Sequence, residues 1–222
     1  METSELLSPP EISKYKSLIG SANWIITLGR FDIAYAVSTL SRYCMAPRLG
    51  HFKAMERVFG YLRKFYAGHI VIDKGKPLIR DQAKFNLGMD WLEFYPDAEE
   101  NLPHDMPTPT GDLAMLTCYV DADHARDKVT CRSVTGIVLL LNNTPVSWIS
   151  KQQKTVETST YGSKLVAVKI TVDLLIEMRY KLRMFEIIRV NRSVNHKSLV
   201  GIHILTPIDA LNAFVKILIV RS

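Results

Sequence analysis

Cysteine is scarce and unpaired in this chain: three residues, Cys44, Cys118 and Cys131, with no Cys-x-x-Cys pair. That argues against a disulfide-stapled scaffold or a cysteine-based zinc site, and makes reduced, intracellular thiols with no disulfide partner the expectation. The features of a signal peptide are missing too, because the opening Met-Glu-Thr-Ser-Glu is acidic and polar where a basic and then apolar run is needed. A long unbroken apolar segment is also lacking. The most apolar stretch, Ile202 to Val220, contains Pro207, Asp209, Asn212 and Lys216. Charge at bilayer depth is costly, so no membrane span is expected.

What is present is ordinary globular material, 47% hydrophobic and 23% charged over 222 residues, enough for one large or two small domains. The net charge is +6 and favours an acidic partner such as nucleic acid, although simple solubility accounts for it equally well. The charge is unevenly placed. Residues 1–84 carry thirteen Lys/Arg against seven Asp/Glu, residues 85–112 carry seven acids and no Lys/Arg, and residues 151–222 carry twelve Lys/Arg against five acids. The acidic stretch also holds Pro96, Pro103, Pro107 and Pro109, which marks 85–112 as a linker.

Before the linker the pattern is helical. A helix is expected from about Glu11; Ile33, Val37, Leu40 and Cys44 share one face of a second; Pro47 ends it; and Met55, Val58, Phe59 and Leu62 mark a third over roughly 51–65. Ile70-Val71-Ile72 suggests a short strand. After the linker, strands are expected over 114–121, 134–141 and 146–150, the last two joined through Asn142-Asn143-Thr144. A long helix follows over 160–185, with Leu165, Val168, Val172, Leu175 and Leu182 as its apolar stripe. Ile187-Ile188 suggests a further strand, and after Asn195 no pattern is legible.

Several ordered runs carry a resemblance. Tyr15-Lys16-Ser17-Leu18-Ile19-Gly20-Ser21, Arg30-Phe31-Asp32-Ile33-Ala34-Tyr35-Ala36-Val37 and His51-Phe52 lie in the first part; Cys118-Tyr119-Val120-Asp121-Ala122-Asp123, Arg132-Ser133-Val134-Thr135-Gly136 and Val146-Ser147-Trp148 through Lys154-Thr155-Val156 lie in the second. Over about residues 13–194 the chain resembles copia-type LTR retrotransposon Pol polyproteins, in the region after the reverse transcriptase palm and in the RNase H domain. Phe31 stands where the family has proline. No aromatic-x-Asp-Asp turn is present, so the resemblance implies thumb or connection material rather than DNA synthesis. The implied fold is α/β, an RNase H-like mixed sheet with a long covering helix, preceded by a mainly helical segment. The implied division is a helical segment over 1–84, the linker over 85–112, an incomplete RNase H-like domain over 113–194 and a diverged tail over 195–222.

The resemblance implies a chemistry that this sequence fits poorly. RNase H cleaves the RNA strand of an RNA–DNA hybrid with two divalent ions, Mg²⁺ in the family, roughly 3.5–4 Å apart. Such ions need converging oxygen ligands. The first family carboxylate maps onto Asp121, with Asp123 on the same face if the strand stays extended. The second, a helix glutamate, maps onto Lys164, and Glu157 lies seven residues too early. The third maps onto Val190. An ammonium about 4 Å from a dication repels it by roughly 8 kcal/mol at an effective dielectric constant of 20; Lys164 is free instead to pair with Asp121.

The expectation is therefore a degenerate, truncated Pol fragment with no tightly bound Mg²⁺ and no hybrid cleavage. A surviving nuclease needs Asp121, Asp123 and another acid; Asp127 and Asp173 are available but out of place. A nucleic-acid-binding module is the third reading, with Lys151, Lys154 and Arg179 foremost among the basic residues, and Lys164, Lys169, Lys181 and Arg183 beside them. The same residues also suit a solvated helix face. His196 and His203 read as surface histidines, and Trp148 and Tyr119 as core.

Overall fold

In a computed structural model of the chain, residues 2–73, 75, 104–105, 107, 114, 116–185 and 201–204 are described, the last four by their backbone. The proposed linker and the Ile187-Ile188 strand lie almost wholly or wholly outside them, as do Val190 and His196.

The first unit is helical. Pro9 opens α1 (Pro9–Thr27), where a missing N–H leaves no bond unmade. The Ser8 backbone N–H donates to the Glu11 carboxylate at 2.8 Å and fixes the entry of the chain. A short 3-10 turn, Phe31–Ile33, leads into α2 (Ala34–Ser41), and α3 spans Leu49–Lys64. Their apolar faces meet in one core of Tyr15, Ile19, Ala22, Ile33, Val37, Leu40, Met55 and Val58. The motif residues hold this unit together. Tyr15, fully buried, donates its hydroxyl proton to the Leu40 carbonyl at 2.7 Å. Arg30 forms a forked pair with Asp32, at 3.0 and 2.8 Å, and donates to the Phe65 carbonyl at 2.8 Å. Gly29 has φ +111°, and the Ile70 side chain lies 2.9 Å from where a Cβ would stand. That contact draws Ile70 onto the α1–α2 corner, and Val71 and Ile72 are exposed, so the short strand expected at 70–72 is absent.

The second unit is a sheet of β1 (Leu116–Asp123), β2 (Val134–Leu141), β3 (Thr144–Gln152) and β4 (Gly201–Ile204), in the order β3-β2-β1-β4. The first three form an antiparallel meander. Asn142 takes φ +54° at the tight β2–β3 turn, a conformation that asparagine tolerates. β4 runs parallel to β1, which makes the sheet mixed. The tail therefore does contain a strand. Four residues are too few for alternation to show in sequence, and pairing with β1 defines them.

Helix α4 (Thr160–Met184) covers one face. Its buried stripe is only partly the expected one, sharing Leu175 and Leu182 with it. Ser163, Ala167, Thr171 and Leu175 face the sheet, followed by Leu182, whereas Leu165 is 57% and Val172 38% exposed. Small residues let the helix lie close to Cys118, Val120 and Ala122 of β1 and Ile137 and Leu139 of β2. The hydroxyls survive burial because helix carbonyls accept from them: Ser163 donates to Thr160 at 2.8 Å and Thr171 to Ala167 at 2.9 Å. Local hydrophobicity thus found the C-terminal part of the stripe, Leu175 and Leu182 with Val168 beside them, and missed its small-residue start.

The helical unit packs beside the other face. Alternation along β2 and β3 puts Ile137, Leu139 and Ile149 toward α4, so Val138 and its partner Trp148 point away from it. Phe31 meets Trp148 there, with ring centroids 5.1 Å apart. Around this contact, Arg126 stands 6.0 Å over the Tyr35 ring, Arg42 lies 3.9 Å from Asp127, and the Asp73 N–H donates to Thr144 Oγ1 at 2.8 Å. The phenylalanine that departs from the family's proline is thus buried at the junction of the two units.

Phe31→Ala is expected to destabilise the protein by about 3 kcal/mol or more, and a double-mutant cycle with Trp148→Ala to give a coupling of about 0.5–1.5 kcal/mol. Urea unfolding of the four proteins measures both; a coupling near zero would mean that the two rings do not support each other.

Candidate functional site

Asp121 lies one strand residue from the C-terminal end of the β1 core run, on the pleat opposite to Val120 and Ala122. Directly across from it in β2 is Gly136, and nothing lies within 4 Å of where a Cβ on that glycine would stand. The carboxylate is about three-quarters buried, and its Oδ1 atom is shut off from solvent without a hydrogen-bond donor. Burial raises its pKa above the usual carboxylate value. The Ala122 N–H and the nearby Lys164 ammonium lower it, and Asp123 raises it again; burial outweighs the two favourable contacts.

Lys164 sits in the second turn of α4, and its Nζ lies 3.9 Å from Asp121 Oδ1, an ion pair beyond hydrogen-bond reach. The start of α4 is held firmly enough to set this distance. Ser159 Oγ accepts from the Gly162 N–H at 3.0 Å, the usual N-cap bond. Gln153, itself buried, donates to both the Ser163 carbonyl at 2.8 Å and Thr135 Oγ1 at 2.9 Å. It therefore ties the helix to β2. Sequence reasoning did not single out Gln153; a glutamine three residues past the expected strand 146–150 resembles any loop residue.

The other acids are committed elsewhere. Because β1 stays extended through Asp123, that residue shares the pleat of Asp121, but its side chain is 52% exposed and lies 3.6 Å from Arg126. Asp127 organises the loop after β1. It accepts from the Val129 N–H at 2.9 Å and from Gln152 Nε2 at 2.9 Å, and these bonds hold its pKa down to about 2. Asp173 is exposed and pairs along α4 with Lys169 at 3.4 Å. Glu157 precedes the helix, beside Gly162. Among the described residues no three His, Cys, Asp or Glu side chains converge as ligands would. A pair of magnesium ions, which the resemblance implies, calls for several carboxylates; the surroundings of Asp121 offer one carboxylate facing an ammonium and do not suit them.

The basic residues are dispersed. Lys151 and Lys154 are exposed near the end of β3, whereas Arg179 is half-buried and already engaged, some 28 Å along α4 from its start. Lys169 and Lys181 pair with Asp173 and Glu177, and Arg183 is buried. Trp148 packs against Phe31, and burial raises the Tyr119 pKa; both are partly buried rather than core. His203, in the tail where no pattern was legible, pairs in register with Tyr119 as part of β4. All three thiols are free, and no helix among the described residues is long and apolar enough to cross a membrane.

Comparison with known proteins adds a lineage. The chain is 29% identical over 162 residues to the Retrovirus-related Pol polyprotein from transposon RE2 of Arabidopsis thaliana, covering 73% of this chain but 9% of the polyprotein. It is 30% identical over 144 residues to a putative transposon Ty5-1 protein of Saccharomyces cerevisiae, covering 65% of this chain and 35% of that protein. It is also 30% identical over 154 residues to the Secreted RxLR effector protein 161 of Plasmopara viticola, covering 69% of this chain and 83% of that protein. No family model and no solved structure matches.

The two carboxyls titrate in opposite senses. Asp127, held low, contributes stability above its unfolded pKa near 3.8 that is lost as the pH falls toward 2. Asp121 is raised, so the folded protein holds its proton more tightly than the unfolded chain, and stability is lost as the pH rises from 3.8 upward. Asp121→Asn should flatten that loss and leave stability at pH 3 unchanged. Lys164→Met should deepen it, by about 1 kcal/mol at pH 7. Urea unfolding between pH 3 and 7 measures the slopes; a Lys164→Met effect equal at both ends of the range contradicts the pairing.

Proposed function

We propose that the chain, which is similar to retrotransposon Pol polyproteins, is a Pol-derived fragment corresponding to the copia-type segment that runs from the reverse transcriptase thumb or connection through an RNase H-like domain, without catalytic activity. The helical unit corresponds to the first part and the mixed sheet with its covering helix to the second. Three meander strands, a long helix and a strand returning beside the first support that correspondence. The match to effector protein 161 covers most of that protein, in keeping with a segment of this size occurring outside a full polyprotein.

The observation that carries the loss of activity is the ammonium of Lys164 beside Asp121. Hybrid cleavage depends on dications stabilising the attacking and leaving oxygens. A side chain that is positive where the family supplies a negative ligand removes both the ligand and the favourable field. Asp123, Asp127 and Asp173 do not replace it, since the first is turned to solvent beside Arg126 and the others are bonded elsewhere. Nucleic-acid affinity through Lys151 and Lys154 is at most weak and only shallowly salt-dependent, because two exposed cations release few counterions.

An RNA–DNA hybrid incubated with the protein in Mg²⁺ or Mn²⁺ is expected to remain intact, and the Asp121→Asn variant to behave identically. Cleavage by the unaltered chain that disappears in Asp121→Asn would overturn this reading.

A further inference from the structure

We propose that Lys164 acts as a resident cation: its ammonium takes the place of a divalent metal ion at the end of β1, and this one side chain keeps hard divalent cations such as Mg²⁺ and Mn²⁺ from Asp121. The inference rests on the reading of the chain as a non-cleaving RNase H-like domain and deepens it by assigning the exclusion of metal to a single residue.

The geometry around Asp121 retains features that a cation site uses. Asp121 Oδ1 is buried with no hydrogen-bond donor, so one strong acceptor position is unspent. The space over Gly136, directly across the sheet, is open, with nothing within 4 Å of a Cβ position. Asp123, two residues later on the same pleat, adds negative charge nearby but is 52% exposed and lies 3.6 Å from Arg126. The added element is Lys164 Nζ, 3.9 Å from the unspent oxygen: near enough to neutralise it, too far to satisfy it by a hydrogen bond. A dication entering here meets twice the repulsion that a monovalent ion would. Turning position 164 into a carboxylate reverses that sign and adds ligand oxygens in the same step, and the N-cap at Ser159 and the Gln153 bonds hold the helix start where it is.

The arrangement also explains why the lysine is tolerated. A buried carboxylate with no partner is costly, and the ammonium offsets part of that cost without metal. Lys164→Glu should therefore be less stable than the unaltered chain in metal-free buffer, through like-charge repulsion with Asp121, and should regain stability when a dication enters.

The test is the thermal unfolding midpoint of the whole chain with and without about 10 mM Mn²⁺ at matched ionic strength, with free Mn²⁺ counted by electron paramagnetic resonance. For a site of about 1 mM affinity, Lys164→Glu should gain about 3 °C with Mn²⁺, the double variant Lys164→Glu/Asp121→Asn nothing, and the unaltered chain nothing. Lys164→Gln, which removes the charge without adding a like one, should gain about 1 °C and carries the test if the glutamate variant does not fold. The proposal is overturned if neither variant responds more than the unaltered chain, or if the unaltered chain gains stability from Mn²⁺ in a manner that Asp121→Asn abolishes. Silence in both variants refutes the resident cation and leaves the non-cleaving reading standing; Asp121-dependent hybrid cleavage by the unaltered chain removes both.

Discussion

A charged group taken out of water must be neutralised, and at the end of β1 the neutralising charge comes from within the chain. Asp121 is largely buried, its Oδ1 lacks a hydrogen-bond donor, and the nearest cation is Lys164 Nζ at 3.9 Å. Everything inferred about function follows from the sign of that charge. A carboxylate at 164 makes an acidic cradle that attracts metal; an ammonium makes a closed, nearly neutral pair. The fold around it need not change for this, because the helix is positioned by Gln153 and Ser159 rather than by the charge.

That separation between scaffold and chemistry recurs across the molecule. The motif residues of the first unit, Tyr15, Arg30 and Asp32, are occupied in buried or partly buried bonds that hold its helices together. The junction between the units rests on Phe31 against Trp148, bordered by Arg126 over Tyr35 and Arg42 near Asp127. On the proposed reading, these contacts keep the architecture whatever side chain stands at 164, since packing and catalysis draw on different side chains.

Sequence legibility follows the same division. The helices around Val37 and Met55, the meander strands and the long α4 were readable because apolar periodicity and turn residues state them locally. Asp121 and Lys164 were readable through the resemblance, which supplied the register in which a lysine is anomalous. Other features were not legible, for physical reasons. The first half of the buried stripe of α4 is Ser163, Ala167 and Thr171, chosen for closeness to β1 rather than for hydrophobicity, so counting apolar residues found Leu175 and Leu182 but selected Leu165 and Val172 in place of the small residues. β4 is four residues long and defined by its partner. Ile70 went to cover Gly29 rather than to a strand, a contact between residues far apart in sequence. The anchoring by Gln153 and the loop role of Asp127 are likewise tertiary facts carried by residues of unremarkable local context.

The most direct measurement of the central claim is Mn²⁺-induced paramagnetic broadening of backbone amide resonances in the unaltered chain. The account predicts that Val120, Asp121, Ala122 and Lys164 broaden no more than other amides of similar exposure, because the ammonium already supplies the positive charge. Selective loss of those signals at low Mn²⁺ concentrations, reversed by Mg²⁺, would show that the carboxylate accepts metal and would contradict the account.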